Sequence, residues 1–195
     1  MADSNVVLEG VRISFSYLFE PSDLSGKYGS DLIIPKTDAK NLTKIKAATA
    51  AATKAGLEKQ WGGKAPKEFQ YPVLRDGDDR ERDPQGAYTD CWYIRAKSKN
   101  QPGVFEYKGR KADGKPKLEP ITDSTAVYPG CYCHVAINLY PYNHPSGGKG
   151  IAVALNYLVF YKDGEPLGGR GSAEDVFSDI DFDEDGDYLF DAELA

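Results

Sequence analysis

Between Arg95 and Lys117 the chain holds eight cations, Arg95, Lys97, Lys99, Lys108, Arg110, Lys111, Lys115 and Lys117, against two acids, Glu106 and Asp113. Phe105 and Tyr107 are set among them. Cations strung along a segment can follow a phosphate backbone, and rings between them can take flat bases. That pairing is what sequence-tolerant contact with a single strand of nucleic acid requires. Each stacked base contributes ~1–3 kcal/mol, so two or three rings supply much of an affinity. A solvated basic hairpin has the same composition, and the segment alone leaves both readings open.

A second segment adds to the first. From Cys131 to Tyr140 an alternation places Cys131, Cys133, Val135, Ile137 and Leu139 on one apolar face. The opposite face presents Tyr132, His134, Asn138 and Tyr140, with Ala136 as a gap. A strand with a clean core side and an aromatic, polar other side can floor a groove; it can also pack its tyrosines under a loop. Along Asp90 to Ser98, Tyr93, Arg95 and Lys97 share a face and extend the same groove if the two strands are neighbours. The stacking candidates are therefore Tyr93, Phe105, Tyr107, Tyr132 and Tyr140. The phosphate candidates are Arg95, Lys97, Lys99, Lys108, Arg110 and Lys111.

Other chemistries find less support. Cys131-Tyr132-Cys133-His134 has zinc-ligand residue types, but in a strand the thiols point one way and the imidazole the other. A fourth ligand would come from distant Cys91 or His144 at no usual spacing, so ordinary core cysteines are expected. The run Asp76 to Asp83 has carboxylates that could hold Mg²⁺ in a nuclease, yet it reads as a solvated loop whose charges largely cancel. There are two His, and no G-x-S-x-G, Walker A or H-E-x-x-H pattern is present. The expectation is a non-enzyme without cofactor or metal. Trp61, between a helix end and Gly62-Gly63, is expected to plug the end of a barrel rather than stack on a ligand.

Charge divides the chain. It has 24 basic and 30 acidic residues, and ten of the acids lie in the last 22 residues, Glu174 to Ala195, which carry no Lys or Arg. The remainder is thus about +4 and the tail −10. The tail's carboxylates alternate with Phe177, Ile180, Phe182, Tyr188, Leu189 and Phe190, side chains that a purely solubilising end does not need. A basic body with such an arm suggests a nucleic-acid binder whose tail competes for its own groove. The three Cys give no disulfide framework, Met1-Ala2-Asp3-Ser4-Asn5 lacks signal-peptide character, and no apolar run approaches a membrane span. A cytoplasmic protein with no membrane partner is expected.

These residues need elements to position them. Thirteen Tyr, 20 Gly and 12 Pro against one Met favour short strands and tight turns. Val6 to Tyr17 predicts a first strand, with Val7, Val11, Ile13 and Phe15 on one face and Gly10, Arg12, Ser14 and Ser16 on the other. A turn at Pro21–Gly26 leads to a strand at Lys27–Ile34, stopped by Pro35, in a hairpin with the first. Thr37 or Asp38 caps a helix of about 18–20 residues with Leu42, Ile45, Thr49 and Ala52 on one face and Gly56 as its stop. Gln60 to Pro84 is irregular. Further strands are predicted at Asp90–Ser98, Cys131–Tyr140 and Ile151–Tyr161, the last two as a hairpin, with turns and positive charge through Lys117. About five strands and one helix predict a mainly β, OB-fold-like Greek-key barrel over residues 1–167, with a β-sandwich as the alternative. Residues 168–195 are expected to form a flexible linker and acidic tail.

With these residues assembled, the chain resembles the phage-encoded single-stranded DNA-binding proteins of the OB-fold type. The resemblance rests on Val11-Arg12-Ile13-Ser14-Phe15, on Tyr28-Gly29-Ser30-Asp31-Leu32-Ile33-Ile34-Pro35-Lys36, on Gly130-Cys131-Tyr132 and on the acidic tail. It implies a role in phage replication or recombination in the host cytoplasm. It also implies a tail, through Phe182, Asp183, Glu184, Asp185, Asp187, Tyr188 and Phe190, that recruits a polymerase or helicase. Tails of that kind end in an aromatic residue, whereas this one continues past Phe190 to Ala195. Removing the tail is expected to open the groove to duplex DNA. The rival is an acidic interaction protein or DNA mimic that blocks a host enzyme, in which the folded body itself would be acidic.

Overall fold

The computed structural model describes residues 4–66, 69, 71–81, 83–145 and 148–167. Strand β1, Asn5–Ser22, is 18 residues long and changes phase along its length. Val6 and Leu8 are buried, and so are Val11 and Ile13, although an unbroken alternation cannot bury both pairs. The phase changes at Gly10, whose φ of 61° suits a residue without a side chain. The register against β7 shifts there, between Leu8 and Val11. Val7, predicted on the core face, is therefore outside and 55% exposed. A second irregularity follows at Phe15 (φ 48°), which takes its ring out of the line of Val11 and Ile13 while Ser14 is buried.

Strand β2, Lys27–Pro35, pairs antiparallel with β1 as the hairpin pattern predicts. Helix α1, Ala39–Lys59, starts at Asp38, whose carboxylate accepts the Asn41 N–H at 3.0 Å. Its inner face is Asn41, Leu42, Ile45, Ala48 and Ala52. Thr49 is only partly buried, and its hydroxyl donates to the Ile45 carbonyl at 2.8 Å. Gly56, predicted as the stop, lies inside the helix: a β-carbon there would sit 2.7 Å from the Trp61 ring. Trp61 is buried against α1 as a plug, and its indole N–H donates to the Tyr142 carbonyl at 3.0 Å.

The remaining strands are β3 (Arg75–Asp76), β4 (Cys91–Ser98), β5 (Gly103–Arg110), β6 (Pro116–Pro120), β7 (Tyr132–His144) and β8 (Gly148–Lys162). The sheet order is β3-β4-β2-β1-β7-β8-β5-β6. Strands β1, β2, β4, β7 and β8, the five legible in the sequence, curl into a barrel of OB type. Strand β4 approaches β8 across the barrel without a ladder among the described residues. Helix α1 packs on β1 and β7 and supplies Leu42, Ile45, Ala48 and Ala52 to the same core as Leu8, Ile13, Leu32, Ile94, Val135, Ile137 and Leu158.

The basic stretch predicted as turns is instead the β5–β6 hairpin, attached to the barrel by a parallel pairing of Gly103–Glu106 with Tyr157–Phe160. Its charges mask the alternation, and its partner lies some fifty residues further along the chain. No helix among the described residues is long and apolar enough to cross a membrane.

Candidate nucleic-acid interface

Two clefts lie on the β2–β4 side of the barrel. The first, of about 520 Å³, is lined by Phe15, Tyr17, Tyr28 and Tyr93 with Lys27, Arg80, Arg95 and Lys97. The second, of about 340 Å³, lies at the open seam, where Tyr71, Arg75, Tyr140 and Tyr142 join the same Lys27, Arg95 and Lys97. Three cations thus belong to both clefts and make them one groove with rings at each end. Its position matches the face that OB folds generally use for polymeric ligands, strands 2 and 3 with the first hairpin turn. That turn, Ser22–Gly26, holds Leu24 at the groove's rim with 98% of its surface exposed.

The hairpin itself positions part of this set. Tyr17 pairs with Gly29 across β1–β2, which carries Tyr17, Lys27 and Tyr28 to one end of the groove. The pairing of β2 with β4 sets Asp31 opposite Arg95 and Gly29 opposite Lys97. Neither Lys27 nor Lys97 is paired with a carboxylate among the described residues. Arg95 reaches Asp31 only at 3.7 Å and stays half-exposed, so a phosphate can compete for it.

The floor of the first cleft is a buried charge pair. Arg80 and Asp31 lie 3.0 Å apart, each side chain 9% exposed. The guanidinium sits 4.1 Å from the centre of the Tyr88 ring, 4.8 Å from Tyr93 and 4.9 Å from Phe15. Tyr88 meets Tyr93 edge-on at 5.3 Å and donates its hydroxyl to Asp31 at 3.0 Å. Burial pushes the Asp31 carboxyl up from its ordinary value, and the charges of Arg80 and Arg95 oppose that rise. Burial also raises the Tyr88 phenol, with the Asp31 charge adding to it. Arg80 is held here as a structural cation among rings, with its charge answered by Asp31.

The loop that carries Arg80 is fastened by its carboxylates. Lys36 bonds Asp76 at 2.7 Å and Asp78 at 2.6 Å, which lowers both carboxyls and raises the ammonium. Asp78 also accepts the Asp90 N–H, and Asp83 accepts the Tyr88 N–H and the Thr89 hydroxyl. Asp76, Asp78 and Asp83 are thus engaged with their own chain instead of converging on an open cation site, whereas Asp79 and Glu81 of the same loop line the first cleft beside its cations. The Cys131 and Cys133 thiols lie buried 3.9 Å apart. His134 points away from them, accepts the Gly10 N–H at 3.2 Å and packs on Tyr161.

The structure brings together only some of the residues that the sequence groups. Arg95 and Lys97 lie in both clefts, Tyr140 in the second, and Tyr93 in the floor of the first, where it is buried. Lys99 follows β4 and lines neither cleft. Phe105, Tyr107, Lys108, Arg110 and Lys111 belong to β5 and its turn, and they line neither cleft. Lys108, Lys115 and Lys117 are paired within the hairpin with Glu106, Asp113 and Glu119. Tyr132 is half-buried beneath Lys162, 4.7 Å from its ring centre.

Strands β4 and β7 are not sheet neighbours; Tyr140 reaches the β4 cations only across the open seam. Phe15, Tyr17, Lys27, Tyr28, Tyr71, Arg75 and Tyr142 were not grouped by the sequence. A signal existed for Tyr17, Lys27 and Tyr28, which flank one predicted turn. The tail residues Phe182, Asp183, Glu184, Asp185, Asp187, Tyr188 and Phe190 lie outside the described residues.

Comparison with known proteins adds a family. The family model described as "Enterobacter phage Enc34, ssDNA-binding protein" matches residues 4–189. Protein p50 of Acyrthosiphon pisum secondary endosymbiont phage 1 is 29% identical over 200 residues, covering 94% of this chain and 98% of that protein. Among solved structures, the single-stranded DNA-binding protein from bacteriophage Enc34 in complex with ssDNA has a TM-score of 0.66 at 22% identity, over 85% of this chain and 90% of the other. Gp2.5, a single-stranded DNA-binding protein encoded by bacteriophage T7, has a TM-score of 0.54 at 18% identity, over 94% and 97%. At these identities the structural likeness shows a shared fold.

Proposed function

Because the chain belongs to the Enterobacter phage Enc34 ssDNA-binding protein family, we propose that it binds single-stranded DNA without reading sequence. The observation that carries this reading is the continuous groove in which Lys27, Arg95 and Lys97 serve both clefts and tyrosines stand at each end. Cations take phosphates, rings take bases, and neither carries a base code. Tyr140, Tyr142, Tyr71 and Tyr17 are the exposed or half-exposed stacking surfaces of this groove, and Tyr93 supports it from below. The DNA-mimic reading loses ground because the body, without its tail, is basic.

In this proposal residues 1–167 bind the strand and residues 168–195 act as a tethered competitor. The protein works in replication or recombination in the host cytoplasm and performs no catalysis. A strand filling the groove displaces the arm, which then offers Phe182, Tyr188 and Phe190 with Asp183, Glu184, Asp185 and Asp187 to a polymerase or helicase. The test is a titration of oligo-dT and of duplex of matched length across a salt series. Expected are preference for oligo-dT and affinity that falls linearly on a log–log salt plot. Affinity indifferent to salt, or equal affinity for duplex, sinks the proposal.

A further inference from the structure

The outward side of β1, β7, β8, β5 and β6 carries a second set of rings that the groove does not use. Cross-strand register lines them up. Val7, Ala136, Tyr157 and Gly103 form one row, and His134, Val159, Phe105 and Pro120 the next. Neither row contains a carboxylate. Tyr157 is 58% exposed and Tyr161 54%, and Tyr107 stands open on the same side of β5. The rings of Phe105 and Tyr157 lie 6.3 Å apart and close over Gly103, where a β-carbon would sit 2.9 Å or less from both. Several exposed rings and Val7 on adjoining strands, with no carboxylate in either row, mark a candidate contact surface.

The chemistry around the rings selects the occupant. Beside Val7, the apolar groups most open here are Tyr157, Tyr161 and Tyr107, and tyrosines take flat ligands while their hydroxyls stay wet. The bordering charge is positive: Lys162 lies 4.7 Å from the Tyr132 ring centre and 6.0 Å from Tyr161, and Arg110 and Lys111 end the hairpin strand. Glu106 is already paired with Lys108 at 2.9 Å. A sheet face bearing exposed rings beside cations is how other β-sheet proteins stack unpaired bases. The face is also within reach of the groove. Lys97 and Gly103 are separated by at most about 22 Å of extended chain, with Lys99 between them.

We propose that the outward face of β7, β8 and β5 is a second single-strand contact, stacking bases on Tyr157 and Tyr161 beside Phe105 and Tyr107. A strand that has filled the groove continues past Lys99 onto this face, so only long strands use it. The inference rests on the single-strand function proposed above, and its test separates the two. Full-length protein is titrated with oligo-dT of about 8 and about 30 nucleotides, lengths within and beyond what one OB groove accommodates. The Tyr157→Ala/Tyr161→Ala protein should lose about tenfold or more on the long strand and stay within about twofold of the parent on the short one. The Tyr157→Phe/Tyr161→Phe protein, which keeps both rings, should bind both lengths as the parent does. Equal affinity of the alanine protein and the parent for the long strand overturns the proposal, as does an equal loss on both lengths. A change in the protein's own sedimentation with long-strand affinity intact also overturns it and assigns the face to a protein contact. Arg95→Ala/Lys97→Ala reports on the groove: retention of full short-strand affinity there defeats the groove reading whatever Tyr157 does.

Discussion

Tyr140 and Ile137 lie three residues apart on β7 and do opposite work. Ile137 is buried in the barrel core, while Tyr140 is exposed at the seam with Arg95 and Lys97. Tyr140→Ala is expected to weaken oligo-dT binding by ~1–3 kcal/mol with thermal stability kept. Ile137→Ala is expected to cost ~2–5 kcal/mol of folding free energy in urea denaturation. A Tyr140 variant that melts early yet binds normally when folded would make the ring a packing residue. Arg80 belongs to the same scale. Arg80→Ala leaves Asp31 a buried carboxylate without its closest cation, and loss of one member of such a pair costs about 3–5 kcal/mol. Arg80→Ala combined with Asp31→Asn should recover part of that loss, and denaturation of the single and double variants measures the difference.

At the scale of elements, the notable join is between α1 and the bulge of β1. Where Gly10 interrupts the ladder to β7, the Asn41 side chain takes over a strand's role. Its carbonyl oxygen accepts the Glu9 N–H at 3.0 Å, and its amide donates to the Glu9 carbonyl at 2.9 Å. Asn41→Leu leaves both backbone groups unsatisfied in a part-buried place, and a destabilisation of roughly 1–3 kcal/mol is expected by thermal or urea unfolding. The Glu9 side chain tightens the same join by bonding Lys40 and Lys44, each at 2.7 Å, which holds its carboxyl at about 2 against the usual 4.5. A depressed carboxyl stabilises the fold above its unfolded value and stops doing so as pH falls through its folded one. Glu9 therefore contributes above pH 4.5 and loses its contribution between there and pH 2. Glu9→Gln should lower stability near neutrality, and its difference from the parent should fade as pH falls from 4.5 to 2, as read from melts across a pH series.

At the scale of the whole molecule the governing feature is the division of charge. Truncation after Gly171 removes ten carboxylates and leaves a body of about +4. In the competition proposed above, an arm tethered by a short flexible linker would meet the groove at an effective concentration in the mM range. Truncation should therefore tighten oligo-dT binding and extend it to duplex. The gain should be largest near 0.01 M salt, where charges act over ~30 Å, and shrink at physiological salt, where the reach is ~8 Å. Equal affinities of full-length and truncated protein at low salt would leave the tail a recruiting role only.

Sequence by itself determined the barrel's five strands, the α1 helix with its cap at Thr37 or Asp38, the core face of β7 and the separation of acidic tail from basic body. These are written as local periodicities, caps and composition, which survive without knowledge of what lies opposite. Long-range pairing decided the rest. The phase change at Gly10 moved Val7 out of the core, and the parallel docking of β5 on β8 carried Phe105, Tyr107 and Lys108 away from Arg95 and Lys97. The open seam brought Tyr140 to those cations instead, and the Asp31–Arg80 pair, 49 residues apart in the chain, built the groove's floor. Periodicity shows which side of a strand is apolar. Which polar sides come to share one surface depends on register and curl, and those are set by partners far away in the chain.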